Sequence, residues 1–425
     1  VDPVRNPYAP GAGQRPPELA GRDVELKAFD VVLERVSRGR PERSLVLTGL
    51  RGVGKTVLLN AMRSAAVRRG WGTGKLEARP DTSLRRPLSA ALHLAVRELG
   101  GPPRSEVDHV LGVLKSFALK QDAAGGAGGS GGGRSGAGGA GGGRSGAGPT
   151  RLRDRWQPGI EVPAVPGRAD SGDIEIDLVE LLSDVGGLAA ETERGVAVFI
   201  DEMQDLDPAD LSALCAAVHE ISQNGLPFVV VGAGLPHLPA VLSASKSYSE
   251  RLFRYSRIDR LDAAGAERAL RTPAKDEEAD FTDDALHALY GATAGYPYFV
   301  QAYGKAVWDV APRSPIGPDD VRVAAPEAEA ELAVGFFGSR YERATPAERE
   351  YLRAMADLGV AADADPADGA VPTASIATLL KRKPQSLSPA RDALLKKGLV
   401  YSGERGMIAF TVPHFGRYLR RHATD

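Results

Sequence analysis

The chain has 425 residues, with 53 Lys and Arg against 55 Asp and Glu, and a single cysteine, Cys215. That length allows two or three domains with cores of their own; the balanced charge singles out no partner, and one cysteine excludes an intramolecular disulfide framework or a cysteine-built metal cluster. Val1-Asp2-Pro3-Val4-Arg5 lacks the apolar core of a signal peptide, and no apolar run approaches the roughly 20 residues that span a bilayer, so composition predicts a soluble, cytoplasmic protein with no membrane partner.

In chain order, residues 1–20 are rich in Pro and Gly and read as an arm over the folded body. A helix opens at Ala20-Gly21-Arg22-Asp23-Val24-Glu25-Leu26 and runs to about Arg38, with Asp23 near its positive end. Ser44 to Thr48 reads as a buried strand. It leads into Gly49-Leu50-Arg51-Gly52-Val53-Gly54-Lys55-Thr56, which fits the phosphate-binding P-loop, G-x-x-x-x-G-K-[ST], at every defined position. Glycines let the backbone turn its N–H groups inward on phosphate oxygens. Lys55 supplies a mobile charge for the β- and γ-phosphates, and the Thr56 hydroxyl is a ligand for Mg²⁺. A helix from Thr56 to Arg69 leaves the loop with Val57, Leu58, Ala61 and Ala65 on one side, adding its dipole to the anion site. ATP or ADP is therefore expected at Gly49, Arg51, Gly52, Val53, Gly54, Lys55, Thr56 and Val57.

Gly72 to Ala78 reads as a second strand, with helical stretches at about Leu88–Leu99 and Val107–Leu119. Residues 122–149 collapse into Gly, Ala, Ser and arginine, with the string Gly-Gly-Gly-Arg-Ser-Gly-Ala-Gly at 131–138 and again at 141–148. So few apolar residues cannot offset the entropy of ordering, and this segment is expected to be a disordered insertion within the core. Val196-Ala197-Val198-Phe199-Ile200 reads as a central parallel strand buried on both faces. Asp201 and Glu202 follow at its C-terminal end, where such sheets place ligand-binding groups. Asp201 is expected to hold the Mg²⁺ shell and Glu202 to orient the attacking water, with Lys55 as its catalytic partner. Pro208 to Gln223 is a helix and Phe228 to Gly232 a strand, followed by Gly232-Ala233-Gly234; a last strand lies near Tyr255 to Leu261.

From Asp262 to about Asp309 the pattern is helical. Gly295-Tyr296-Pro297 precedes an apolar stripe of Phe299, Ala302, Tyr303, Ala306, Val307 and Val310, with Pro297 well placed at a helix start. Residues 312–340 read as a mixed linker and helix. Thr345-Pro346-Ala347-Glu348 is a capped start. Three helices and a two-stranded hairpin, Leu399–Ser402 with Met407–Val412, follow in winged-helix order. Between Thr373 and Arg421 ten Lys and Arg face only Asp392 and Glu404, a net +8. This is either a phosphate-backbone footprint or a basic face packed on the rest of the chain.

The order of these boxes resembles the AAA+/STAND branch of P-loop ATPases, near the origin-recognition-like ATPases, over nearly the whole chain. Gly21-Arg22-Asp23-Val24-Glu25-Leu26 resembles the G-R-[DE]-x-E-L box, which places Arg22 against adenine and ribose. Asp201-Glu202-Met203-Gln204-Asp205-Leu206 resembles that branch's D-E-x-[QH]-x-L form of the acidic strand end. The resemblance makes Gly295-Tyr296-Pro297 the G-x-P box of a helical lid, with Pro297 on adenine. It makes His414, between Val412 and Phe415, the histidine that reads the ADP β-phosphate in STAND switches of the disease-resistance type. Gly232-Ala233-Gly234 stands where AAA+ enzymes carry a polar sensor, which implies slow hydrolysis. Arg251 and Arg254 stand where relatives carry an arginine that reaches a neighbour's γ-phosphate; a surface or ion-paired role is the other reading.

The expected fold is thus α/β: a P-loop NTPase core with a parallel sheet (21–261), a helical lid and linker (262–340) and a winged helix (341–425). The expected function is an ATP-binding, Mg²⁺-dependent ATPase working as a nucleotide-controlled switch, with a DNA-clamping AAA+ ATPase as the alternative. Duplex DNA, an effector or sensor protein and a nucleotide-dependent homo-oligomer are the implied partners.

Overall fold

The computed structural model describes residues 1–11, 13–100, 103–120, 162–192, 194–359, 369–402, 404–412 and 414–422. The glycine-rich insertion expected at 122–149 lies outside them. Five strands form an all-parallel sheet: β1 (Ser44–Thr48), β2 (Gly72–Glu77), β3 (Val196–Asp201), β4 (Phe228–Gly234) and β5 (Phe253–Arg257), in the order β2-β3-β4-β1-β5. Every residue of β1, β3 and β4 is buried, as expected of parallel strands covered on both faces.

Period-2 alternation divides these strands between two cores. Leu45, Leu47, Phe199, Val229 and Val231 face one side with α1 (Asp23–Ser37) and α2 (Lys55–Arg68). Val46, Val198 and Val230 face the other, beneath α3 (Arg85–Glu98), α4 (Arg104–Leu119), α5 (Ile174–Glu191) and α6 (Pro208–Gln223). Two short helices, α7 (Leu238–Ser245) and α8 (Ser249–Leu252), lead into β5, which ends earlier than the sequence suggested.

The lid is four helices, α9 (Ala263–Asp276), α10 (Asp283–Thr293), α11 (Pro297–Val310) and α12 (Pro318–Leu332). Asp262 accepts from Gly265 N at 2.7 Å to cap α9, and Thr282 Oγ1 accepts from Ala285 N at 3.2 Å to cap α10. A π-helical segment, Ala333–Gly338, and α13 (Ser339–Tyr341) join the lid to the last unit. That unit runs α14 (Pro346–Leu358), β6 (Val371–Pro372), α15 (Thr373–Leu379), α16 (Pro384–Lys396), β7 (Val400–Tyr401), β8 (Met407–Phe410) and α17 (Phe415–His422), with an antiparallel sheet ordered β6-β8-β7. The core on the α1/α2 side continues through the lid into this unit as far as Leu419. Among the described residues no helix is long and apolar enough to cross a membrane.

The arm at residues 1–11 packs on the lid. Tyr8 is buried, its hydroxyl donates to Leu270 O at 2.6 Å, and its ring lies edge-on to Phe281 and Trp308. A buried ion pair fixes α5 behind the sheet: Arg85 Nη2 lies 2.8 Å from Asp177 Oδ2, with side-chain exposures of 3% and 0%. Burial alone would raise the Asp177 pKa; hydrogen bonds from Ser171, Arg85 and Gly172 outweigh it and hold the carboxyl below its usual range. Its stabilising contribution is therefore complete near neutrality and is lost as pH falls through the acidic range. Asp177→Ala removes the carboxylate from this buried pair and should cost about 3–5 kcal/mol, read as a lowered urea midpoint near neutral pH, with the gap to wild type narrowing in acid.

Candidate nucleotide site

The site begins where β1 ends. Gly49 N donates to Gly234 O at 3.1 Å, and Ile258 N donates to Thr48 O at 2.7 Å, so the loop is seated between the ends of β4 and β5. A Cβ on residue 49 would meet Ile258 O at 2.2 Å, which leaves room only for glycine. Gly52 and Gly54 have φ of +84° and +90°, conformations that glycine adopts without penalty. Lys55 opens α2 and is only 7% exposed. Its Nζ donates to the carbonyls of Gly49 and Leu50, both at 2.9 Å. Burial pushes its pKa down to about 8, against the pull of Glu202 and Asp201, with Arg51 adding to the fall.

The acidic pair stands one strand away, because β4 separates β3 from β1. Asp201 closes β3, is 6% exposed, and accepts from Glu202 N at 3.1 Å. Glu202 takes a left-handed turn (φ +50°) that redirects its side chain out of the strand's alternation. Its carboxylate accepts from Gln204 Nε2 at 2.7 Å and lies 3.7 Å from Arg51 Nη1. Gln204 Oε1 in turn accepts from Leu235 N at 3.1 Å. Burial and the charge of Glu202 push Asp205 up to about 6. The bare strand end at Gly232-Ala233-Gly234 has a steric cause: a Cβ on Gly232 would sit 2.5 Å from Met203 Sδ, and one on Gly234 2.6 Å from Gln204 Oε1.

The P-loop and Glu202 open on a cavity of about 360 Å³, a size typical of small-molecule sites, whose lining includes neither Asp201 nor Gly49. Its walls come from the arm (Pro10, Gln14), the P-loop with Thr56 and Val57, Glu202, the start of α11 (Pro297, Tyr298, Gln301) and the junction segment (Gly335, Phe336, Arg340). Pro297 sits at the first position of α11; Gly295 O accepts from Leu261 N at 2.8 Å, and Tyr298 N donates to Gly52 O at 3.3 Å, tying the lid to the loop. Arg22 also lines the cavity, but its guanidinium is engaged by backbone carbonyls, Val53 O at 3.0 Å and Asp259 O at 2.6 Å. Its structural work is to pin the P-loop to the chain beyond β5.

Not every expected residue converges here. His414 lies outside the cavity lining, with its ring 5.4 Å from Phe299 and 6.0 Å from Tyr296; Pro413 beside it is outside the described residues. Arg251 and Arg254 are exposed and do not line this cavity, which leaves open both readings given for them, a contact to a neighbour's γ-phosphate and a surface role. In their place the last unit touches the P-loop through backbone, with Arg51 N donating to Thr411 O at 3.0 Å. Sequence reasoning missed Arg340, the Arg51–Glu202 pair and the clasp of Gln204 on Glu202. The first two depend on contacts between distant segments; the third is local, and the D-E-x-[QH] spelling did flag Gln204.

Because Lys55 has its pKa near 8 here, an anionic ligand that raises it must drive proton uptake in mildly alkaline solution. Calorimetric titration of ADP at about pH 8.5, repeated in buffers of different ionisation enthalpy, should show a fraction of a proton taken up per nucleotide, vanishing at about pH 7. Lys55→Ala should abolish nucleotide binding.

The comparisons agree with the geometry. A model described as an AAA ATPase domain matches residues 18–231, and one described as a domain of unknown function (DUF8462) matches residues 334–419. No curated protein matches. Among solved structures, a Walker-type ATPase of Pyrococcus abyssi is 14% identical with a TM-score of 0.53, over 96% of this chain and 97% of that one. The Aeropyrum pernix Orc1 protein in complex with DNA is 14% identical with a TM-score of 0.44, over 98% and 96%. The Thermotoga maritima RuvB Holliday junction branch migration motor is 17% identical with a TM-score of 0.42, over 94% and 96%. The likeness to the Pyrococcus protein is one of fold. With a family model spanning just over half of its length, starting ahead of Arg22 and running into β4, this chain belongs to the AAA ATPase domain family.

Proposed function

We propose that the chain is a slow ATPase working as a nucleotide-controlled switch, with ATP or ADP held between core and lid. One observation carries this reading: the cavity is walled by the arm, the P-loop core, the lid and the junction to the last unit together. A ligand filling it contacts every moving part, so its phosphate count can bias how those parts sit. Lys55, now held by the Gly49 and Leu50 carbonyls, would exchange them for phosphate oxygens. The Thr56 hydroxyl and the Asp201 carboxylate are hard oxygen donors of the kind Mg²⁺ takes, alongside phosphates and water. Bound there, the ion would neutralise charge on the phosphates.

The same geometry supports slow turnover. Glu202 is the group placed to orient water, and it is held by Gln204 and Arg51. Met203 and Gln204 fill the space that a polar side chain on β4 would need, so the β4 end offers only backbone to the reacting phosphate. Pro297 lines the cavity, which supports the adenine contact that the resemblance implies, whereas His414 does not line it. We read the last unit as a winged helix that moves with the nucleotide state and presents the output to an effector or sensor protein.

DNA clamping is the second reading. Most of the basic residues at this end are engaged within the chain: Arg382 with Glu350, Arg391 with Asp392, Lys397 with Glu348, Arg417 and Arg421 with Glu329, and Arg420 with the Ala356 carbonyl. Lys381, Lys383, Lys396 and Arg405 stay exposed and are the residues that favour a phosphate backbone.

The deciding experiment is to identify the nucleotide released when freshly purified protein is denatured. Near-stoichiometric ADP is expected, with Glu202→Gln retaining nucleotide while ATP turnover falls by about a hundredfold. An empty, rapidly exchanging site would sink the switch. Duplex-stimulated turnover lost on reversing Lys381, Lys383 and Arg405 to Glu would replace it with the clamp.

A further inference from the structure

The junction segment brings a cation to the site that no part of the P-loop chemistry requires. Arg340 sits on the α13 turn, between the π-helical segment and α14, far in sequence from the nucleotide-binding boxes. Its guanidinium lines the cavity, 4.2 Å above the Phe336 ring, and Nη1 donates to the Phe336 carbonyl. The platform is itself fixed to the loop and the lid. The Phe336 ring stacks on Tyr298 at 4.8 Å, and its Cζ is 3.5 Å from where a Cβ on Gly52 would be. Arg340 is therefore held over the P-loop tip by packing, with no described carboxylate within ion-pair distance.

We propose that Arg340 is a ligand for the terminal phosphate of a nucleoside triphosphate, supplied in cis by the segment that joins the lid to the last unit. Three features support this assignment, which rests on the nucleotide occupying the cavity as proposed above. First, charge in the cavity is unbalanced: Arg22, Arg51, Lys55 and Arg340 line it against Glu18 and Glu202, four basic side chains to two acidic ones. Burial pushes the Arg340 pKa down to about 10, Arg51 and Arg343 push it the same way, and Glu202 only partly offsets them. An added anion relieves that repulsion. Second, the donor is of the right kind. A guanidinium fork suits phosphate oxygens, and stacking on Phe336 leaves its edge for the ligand. Third, Arg51 and Glu202, whose charges it feels, lie 3.7 Å apart where the attacking water is to be oriented. That places Arg340 by the phosphate that distinguishes ATP from ADP.

Such a contact makes the junction segment itself sensitive to the triphosphate. Engaging the phosphate would pull on the Phe336 platform and, through it, on the Ala333–Gly338 turn that leads into α14.

The test uses fluorescent ADP and a fluorescent non-hydrolysable ATP analogue with Mg²⁺, titrated into the full chain and its variants. Arg340→Met keeps a long stem on Phe336 and removes the charge. It should weaken the triphosphate by about tenfold or more while leaving ADP affinity within about twofold of wild type. Retained ADP binding also reports that the variant folds. Arg340→Lys, with a charge but no fork, should fall between the two. Equal weakening of both nucleotides, or no change in either, overturns the assignment; if Arg340→Met does not fold, wild-type triphosphate affinity in Arg340→Lys does so alone. Wild type that binds neither nucleotide brings down the site and this proposal together. Loss of both nucleotides in Lys55→Ala with none in Arg340→Met brings down this proposal only.

Discussion

A buried ammonium surrounded by backbone is the constraint on which the site depends. Lys55 is nearly inaccessible and, among the described residues, meets no carboxylate within hydrogen-bond reach; two carbonyls of its own loop accept its hydrogen bonds. Carbonyl dipoles solvate such a charge less well than water does, which is why its pKa falls. The neighbourhood compensates by geometry. The loop is clamped between the ends of β4 and β5, Arg22 holds it from below, and Asp201 and Glu202 stand across β4 as distant counter-charges. An anion of high charge density would give Lys55 the charged oxygen partners that these carbonyls replace.

Legibility in the sequence followed contiguity. The P-loop, its strand and its helix were readable because each is specified by neighbours in the chain, and so was Asp201-Glu202 behind a run of apolar residues. The cap and proline at Thr345-Pro346 marked α14 for the same reason, and the structure adds the reciprocal Glu348 bond. The helix α5 was missed although its signals were present: Asp173 as cap and Leu178, Leu181, Leu182, Val185 and Leu188 at helical spacing. It follows the low-complexity stretch, whose composition drew attention away from what came next.

The site's upper half was not readable, and the cause is physical. The contact between Arg51 and Thr411 joins residues some 360 positions apart, and Arg340 acquires its neighbours only when Phe336 packs on Tyr298. His414 is the opposite case. A single matching letter at a familiar junction suggested a phosphate contact, yet the backbone there turns left-handed (φ +58°) and its ring packs with Phe299 and Tyr296. The glycines at the end of β4 lie between these cases. Their lack of side chains was plain in the sequence, but the steric demand of Met203 and Gln204 that explains it was not.

The arm gives the molecule one further property. Its first residues are fastened to the lid through Tyr8, while the helix that follows it, α1, belongs to the core. The chain between them crosses the cavity, contributing Pro10, Gln14 and Glu18 to its walls. Lid and core are thus connected twice on this side, once by the covalent hinge beyond β5 and once by this strap. A lid that swings away takes the strap with it, so the mouth is uncovered in the same stroke that parts the walls. The strap's contour length sets how far that stroke can go, since a trans chain extends at most about 3.3–3.6 Å per residue. Shortening or stiffening residues 9–20 would therefore alter how quickly a bound molecule leaves without touching Lys55 or the rest of the P-loop.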